Sequence, residues 1–234
     1  MHAISSLASD PTNTSPVPFT TTFSEDVTGF SGADIDLVNG ILSSFSGSGS
    51  VYNFGVVPVI QGLMTVDIDA NSGIDAAGNN NTAAAQFDIT YDSVPPVITM
   101  LGTSPVNIEY GETYVDDGAT ASDSNDGDIT GSIVTDDPVD TSVLGTYTVT
   151  YNVSDAAGNA AVEVTRTVNV VQRNITVTAA TDTKEYDATT DSFGTPTITA
   201  GSLAFDDYED LVQTFGDKNV GTGKTLTPFG TIYD

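Results

Sequence analysis

The sequence predicts an all-β chain of tandem β-sandwich domains, and three observations carry that prediction. Apolar residues recur at every second position in short runs, which places them on one face of a strand. No window of 11 or more residues shows a 3.6-residue period. The pentapeptide Asp-Ala-Ala-Gly-Asn occurs at Asp75–Asn79 and again at Asp155–Asn159, a domain-sized interval that points to two units built alike.

The strands follow in order. In VPFTTTF, residues 17–23, Val17, Phe19 and Phe23 share a parity, and in VYNFGVVPV, residues 51–59, Tyr52, Phe54 and Val56 do. LMTVDIDA, residues 63–70, puts Met64, Val66 and Ile68 on one face and Asp67 and Asp69 on the other. AAAQFDITY, residues 83–91, alternates Ala83, Ala85, Phe87, Ile89 and Tyr91. The scheme then repeats. Tyr147, Val149, Tyr151 and Val153 alternate in residues 145–155, and Val162, Val164, Val168 and Val170 in residues 161–171. Arg166 falls on the apolar parity of that last run. Either the strand bulges there or the guanidinium reaches a carboxylate at the sheet edge. The second is preferred, because a base among so many acids has partners close by.

Short strands with regularly spaced turn signals are the pattern of a β-sandwich. YDSVPPV, residues 91–97, is a natural boundary, since Pro95-Pro96 stops the preceding strand and stiffens the linker. VVQRN, residues 170–174, is a second boundary. The chain is thus divided into a leader or linker end (1–10), domains at 11–92 and 93–171, and a third β segment at 172–234.

The inventory excludes several function classes. There are 32 acidic and 5 basic residues, a net charge of -27, which repels nucleic acid and anionic lipid. There is no Cys, so no disulfide, thiolate zinc site or cysteine nucleophile is available. The only His is His2, which rules out a Ser-His-Asp triad and an imidazole metal site within the domains. No stretch approaches the roughly 20 apolar residues that span a bilayer, and MHAISSLASD lacks the basic start and apolar run of a signal peptide. The apolar 38% is arranged in strand patterns rather than diluted, so a core forms despite the charge.

Three resemblances overlie this reading. Residues 11–92 carry SPVPFTTTFSEDVTGFSGADI and GLMTVDIDANSGIDAAGNNNTAAAQF, and resemble the bacterial Ig-like repeats of large surface adhesins. Residues 94–171 carry DGDIT and GTYTVTYNVSDAAGN, and resemble the HYR-related bacterial Ig-like domain. Residues 174–234 carry ITVTAATDTKEYDATT and FGDKNVGTGKTLT, and resemble the YDG-type module, with Ala188 where that family has Gly. The resemblance implies Ig-like sandwiches in an extended end-to-end array. It also implies that the third module stops, at FGTIYD, short of the family's usual strands, as an excerpt of a longer stalk would.

In an Ig-like sandwich with strands A to G, the B–C and F–G loops lie at the pole where the chain enters. The resemblance then makes Asp75 and Asn79 F–G residues of the first domain, with Glu25 and Asp26 in its B–C loop and Asp10 in the entering segment. In the second domain it gathers Asp155 and Asn159, the acid-rich stretch with Asp123, Asp126 and Asp128, and the linker residue Asp92. Ca²⁺ takes 6–8 oxygen ligands, and uncompensated carboxylates at one junction repel one another. Both clusters are expected as structural Ca²⁺ sites, as in the Ca²⁺-rigidified stalks of cadherin-like and Ig-like adhesins, and the second is favoured by its acids. The pentapeptide is in any case a good turn, since Asp and Asn form Asx-turns and Gly permits positive φ. Asp136, Asp137 and Asp140 are expected in an exposed turn.

The expected function is therefore a non-enzymatic stalk segment of a bacterial cell-surface or secreted adhesin, held straight by Ca²⁺ and flanked by neighbouring domains of a longer chain. The alternatives are a glycan- or surface-binding third domain, using Tyr186, Phe193, Phe205, Tyr208 and Phe215, or a subunit of an extracellular filament. Core placement is the preferred reading of those aromatics. A two-carboxylate glycosidase lacks any fixed pair or cleft in the sequence. Isopeptide bonds need Lys, and the first Lys is Lys184, so only the third domain has the means for one.

Overall fold

The computed structural model describes residues 2–205 and 207–233. Residues 2–91 form β1 (His2–Ser6), β2 (Val17–Thr28), β3 (Ile35–Val38), β4 (Gly40–Pro58), β5 (Gly62–Ile68), β6 (Ile74–Asp75) and β7 (Phe87–Tyr91). Residues 97–171 form β8 (Val97–Met100), β9 (Val106–Glu109), β10 (Ala119–Asp123), β11 (Gly127–Asp128), β12 (Val134–Asp136), β13 (Gly145–Asn152) and β14 (Val164–Val171). The rest adds β15 (Thr176–Thr178), β16 (Thr197–Ala200), β17 (Tyr208–Phe215) and β18 (Leu226–Tyr233). Helix among the described residues is confined to two three-residue 3-10 turns, Gly32–Asp34 and Thr130–Ser132. The all-β fold class holds.

The chain forms two compact units. The first comprises Met1–Leu101, Gly118–Thr135 and Thr150–Val164, and the second Gly102–Asp117, Asp136–Val149 and Thr165–Asp234.

In the first unit, residues 2–91 make a sandwich of sheet β1-β2-β4, with β6 also on β2, and sheet β3-β5-β7. Both inner faces supply one core: Val17, Phe19 and Phe23 from β2, Tyr52, Phe54 and Val56 from β4, Met64, Val66 and Ile68 from β5, and Ile89 from β7. These are the residues whose alternation marked the strands. Within β4 the backbone at Gly47 comes close to Val51 and Tyr52. A Cβ on Gly47 would clash with the Val51 carbonyl oxygen, and one on Gly40 with a Val56 methyl. Such approaches leave room for glycine alone.

Two expectations for this domain are corrected. Residues His2–Ser6, expected as leader, pair antiparallel with β2, His2 opposite Phe23. The His2 ring stacks on Phe23 at 4.8 Å, and burial lowers its pKa. Residues 83–86 are irregular and β7 begins only at Phe87. Ala side chains bury too little apolar area to hold those positions against a sheet. The first unit also contains the sheet β11-β10-β8, with Ile98 and Ala121 buried.

In the second unit, β9 lies parallel to β14, Val168 opposite Val106 and Val170 opposite Ile108. Arg166 in β14 is fully buried, and its Nη1 donates to Asp116 Oδ1 at 2.7 Å, so the guanidinium does reach a carboxylate. Tyr114 donates its hydroxyl to the same oxygen at 2.8 Å. Burial, reinforced by that bond, pushes the Tyr114 pKa up to about 12. Val162, in the first unit, is 85% exposed, because β14 starts only at Val164. Asp137 and Asp140 each cap a backbone N–H two residues on and are exposed, the turn expected for them, whereas Asp136, also exposed, ends β12 instead.

The third module pairs its strands two by two among the described residues, β15 with β16 and β17 with β18. Gln213 is buried, and its amide accepts from Ala180 N and donates to Ala180 O, both at 2.8 Å, in the manner of a strand neighbour. Tyr186, Phe193, Phe205 and Tyr208 are 66%, 82%, 69% and 58% exposed, so the expected core placement fails for these four. Tyr186, Phe193 and Phe205 lie outside the strands, and Tyr208 sits in the two-stranded pair β17-β18, which has no second layer to cover both of its faces. Where the module adjoins residues 102–117, Arg173 donates to the Tyr110 carbonyl and to Ser202 Oγ. Phe205 packs edge-on against Tyr110 at 5.8 Å.

Candidate metal centre

Within the first unit, Asp92 follows the end of β7, Asp123 ends β10, and Asp155 opens the turn after β13. One carboxylate oxygen from each lies within 4.8 Å of the others. The three side chains are buried, with 1%, 8% and 8% exposure.

Each acid is held by its own loop. Asp92 Oδ1 accepts from Val94 N at 3.0 Å, and Asp123 Oδ1 from Asn125 N at 2.6 Å and Asp126 N at 3.2 Å. Asp155 Oδ1 accepts from Asn159 N at 2.7 Å and its Oδ2 from Asn159 Nδ2 at 2.8 Å. These are Asx-turns, and they fix each carboxylate. Asp92 Oδ2 and Asp123 Oδ2 remain buried without a hydrogen-bond partner. An unsatisfied buried polar atom costs about 1–3 kcal/mol, and more when charged. Burial pushes the Asp92 pKa up, and the charges of Asp123, Asp155 and Asp126 add to the rise against the opposing Val94 N–H.

The donor set is carboxylate and amide oxygen, with neither imidazole nor thiolate, which suits a hard divalent cation. Asp126 Oδ2 accepts from Ala156 N at 2.7 Å, beside the cluster. Asn159 Nδ2 also donates to the Asp92 carbonyl at 3.0 Å, tying the turn to the linker. A cleft of about 270 Å³ lies beside the cluster, between Gln61–Gly62, Tyr91–Asp92 and Ser124–Asn125.

The pentapeptide builds one turn twice. Asp75 N donates to Asn79 O at 2.9 Å and Asp155 N to Asn159 O at 3.1 Å. Asn79 Nδ2 reaches Asp75 Oδ2 at 2.9 Å, matching Asn159 and Asp155 at 2.8 Å. Gly78 and Gly158 adopt φ of +87° and +88°. The Asn79 side chain lowers the Asp75 pKa, the sign expected of a carboxylate whose charge is already satisfied.

Of the sequence-predicted ligands, Asp92, Asp123 and Asp155 come together, with Asp126 and Asn159 alongside. Asp128 stands outside the cluster. It caps Thr130 N at 2.9 Å, and the Thr130 hydroxyl and N–H hold its pKa down. Among the described residues the first-domain set is not brought together. Glu25 and Asp26 lie within β2 rather than in a loop, where the ladder to β4 shifts register between Thr22 and Val27. Asp75 faces Val27 at that end of β2. Asp10 lies by the opposite end, because β1 has already run antiparallel along β2, and its Oδ1 accepts from Thr90 N at 2.9 Å. Asn13 was not foreseen. It is an exposed residue whose Nδ2 donates to Asn159 Oδ1 at 3.1 Å, and nothing in TNTS marks it.

The comparisons agree with this architecture. Residues 2–91 match a bacterial Ig-like domain family, residues 98–170 the Ig-like domain of bacterial surface proteins, and residues 171–233 the YDG domain. The class is that of surface structural proteins built from β-sandwich modules. Segment by segment, the chain is similar to two bacterial Ig-like domains followed by a YDG domain, and these matches support a bacterial cell-surface structural protein. No match was found among the curated proteins. Among solved structures it is similar to the N-terminal part of the bacterial S-layer protein SbsC, with 14% identity and a TM-score of 0.29 over 72% of this chain and 44% of that one. It is also similar to the fibronectin(III)-like modules of Clostridium thermocellum CbhA, with 13% identity and a TM-score of 0.35 over 74% of this chain and 95% of that one. The chain thus spans less than half of the SbsC structure. Among the described residues no helix is long and apolar enough to cross a membrane.

Proposed function

We propose that the chain is a stalk segment of a bacterial adhesin, and that Ca²⁺ held by Asp92, Asp123 and Asp155 stiffens the joint between its two Ig-like domains. The observation that carries the cation is the pair of buried, partnerless oxygens, Asp92 Oδ2 and Asp123 Oδ2, inside a cluster of three acids. A divalent ion satisfies both oxygens and turns mutual repulsion into attraction. Asp92 belongs to the linker while Asp123 and Asp155 belong to the second domain, so one ion fastens linker to domain. Stalk function needs length and stiffness rather than catalysis. Calorimetry of the intact chain in millimolar Ca²⁺ and in EDTA tests the reading: a higher melting temperature with Ca²⁺ is expected, and identical traces would refute it.

A second reading is favoured by the exposed rings of the YDG domain. A groove of about 490 Å³ is lined by Tyr186 and Phe215, with Asp182, Asn219 and Lys218 among its polar groups. Rings beside amides and carboxylates suit a sugar, and this module then contacts a glycan. A glycan-array screen with the intact chain and with Tyr186→Ala checks it; no difference between the two refutes it.

A further inference from the structure

The first domain supplies no carboxylate to the cluster, yet it grips two of the cluster's parts. The strap that follows β1 lies beside the start of the linker. Thr12 N donates to Thr90 O and Asp92 N to Thr12 O, both at 2.9 Å, and Thr12 bridges Tyr91 in parallel register. Thr12 is 1% exposed, so this clamp is shielded from water. One residue on, Asn13 Nδ2 donates to Asn159 Oδ1 at 3.1 Å, across 146 residues of sequence. Asn159 is the residue whose amide holds Asp155 Oδ2 and the Asp92 carbonyl. The strap is anchored in turn, because Asp10 Oδ1 accepts from Thr90 N.

We propose that Thr12 and Asn13 are positioning residues for the cation, an inference that rests on the Ca²⁺ reading above. Thr12 sets the backbone of Asp92, and Asn13 sets the amide that orients Asp155. Neither touches the ion. Groups that orient metal ligands commonly change affinity by about 10–100-fold when removed. Linkage makes the effect reciprocal, so an ion that favours the set geometry also tightens the strap. The first domain thereby responds to an ion that the linker and second domain hold.

The test uses the intact chain and Asn13→Ala, a change at an exposed side chain that leaves the Thr12 backbone clamp in place. Ca²⁺ affinity is read by titration calorimetry, and the strap by hydrogen exchange at the Thr12 and Asp92 amides. The expected result is about tenfold weaker Ca²⁺ binding in Asn13→Ala, with melting in EDTA unchanged. In the unaltered chain Ca²⁺ slows exchange at both amides, and in Asn13→Ala it slows them less. Equal affinity and equal protection in the two proteins overturn the positioning role while leaving the Ca²⁺ site standing. An unaltered chain that binds no Ca²⁺ overturns both, and does so before Asn13 is in question.

Discussion

Asn159 joins the second Asp-Ala-Ala-Gly-Asn turn to the linker through one bond, from its Nδ2 to the Asp92 carbonyl at 3.0 Å. The first turn closes its own ring identically, Asn79 to Asp75 at 2.9 Å. The two copies differ in what surrounds them, not in how they fold: Asp155 is buried beside two other acids, and Asp75 is half-buried without them.

Asp123→Asn should have opposite effects in two media. In EDTA it removes a negative charge next to Asp92 and Asp155, so the melting temperature should stay level or rise. In Ca²⁺ at a hundredfold excess over Kd, where a native-state ligand contributes about 2.7 kcal/mol, most of that gain should vanish. Paired calorimetric scans of both proteins in both media check the crossing.

Asp116→Ala should destabilise the protein by up to about 3–5 kcal/mol, because it takes from the fully buried Arg166 its nearer carboxylate and leaves Asp117 Oδ2 at 3.9 Å. Replacing Arg166 by Met together with Asp116→Ala should cost less than Asp116→Ala alone. Urea unfolding of the three proteins measures this.

Ala188→Gly should stabilise the YDG domain by roughly 1 kcal/mol. Ala188 sits at φ +64°, a left-handed conformation that costs an L residue about 1–2 kcal/mol and glycine little. The midpoint of urea unfolding, followed by a probe in this module, should rise.

Acid should weaken the YDG domain in a defined window. The Lys184 ammonium holds the Asp187 pKa down to about 2, Ser192 lowers that of Asp182, and Lys224 lowers that of Asp217, all from 3.8. Folded values below the unfolded one give stability that is present above pH 3.8 and is lost as pH falls toward about 2. These groups are exposed, so salt should shrink the effect. Thermal melts from pH 5 to 2 at low and high salt check both statements.

How much of this could be read in advance follows from the physics of each feature. The strands of the first domain were legible because Val17, Phe19, Met64, Val66 and Ile68 must all face one core, and period two records that demand. The turn at Asp155 was legible because Asp, Gly and Asn each meet a local backbone requirement. The three-acid cluster followed once an Ig-like pole was assumed. What failed depended on pairing between distant segments. Glu25 and Asp26 look like a loop, yet β2 continues through them because β6 pairs with its far end. Asp10 lies at the other pole from Asp75 because β1, too short and too polar to announce itself as a strand, runs along β2 first. Asn13 was invisible, since a single exposed hydrogen bond leaves no periodicity behind.

The joint at Arg173 is made of different material from the joint at Asp92. A guanidinium on the Tyr110 carbonyl and a ring against Tyr110 contain nothing that a chelator removes. If the cation works as proposed, dilution into a calcium-poor medium loosens the chain at Asp92. Such a chain would carry an environmental fuse there: the linker at Asp92 would give way first, while the contacts Arg173 and Phe205 make with Tyr110 would persist in either medium.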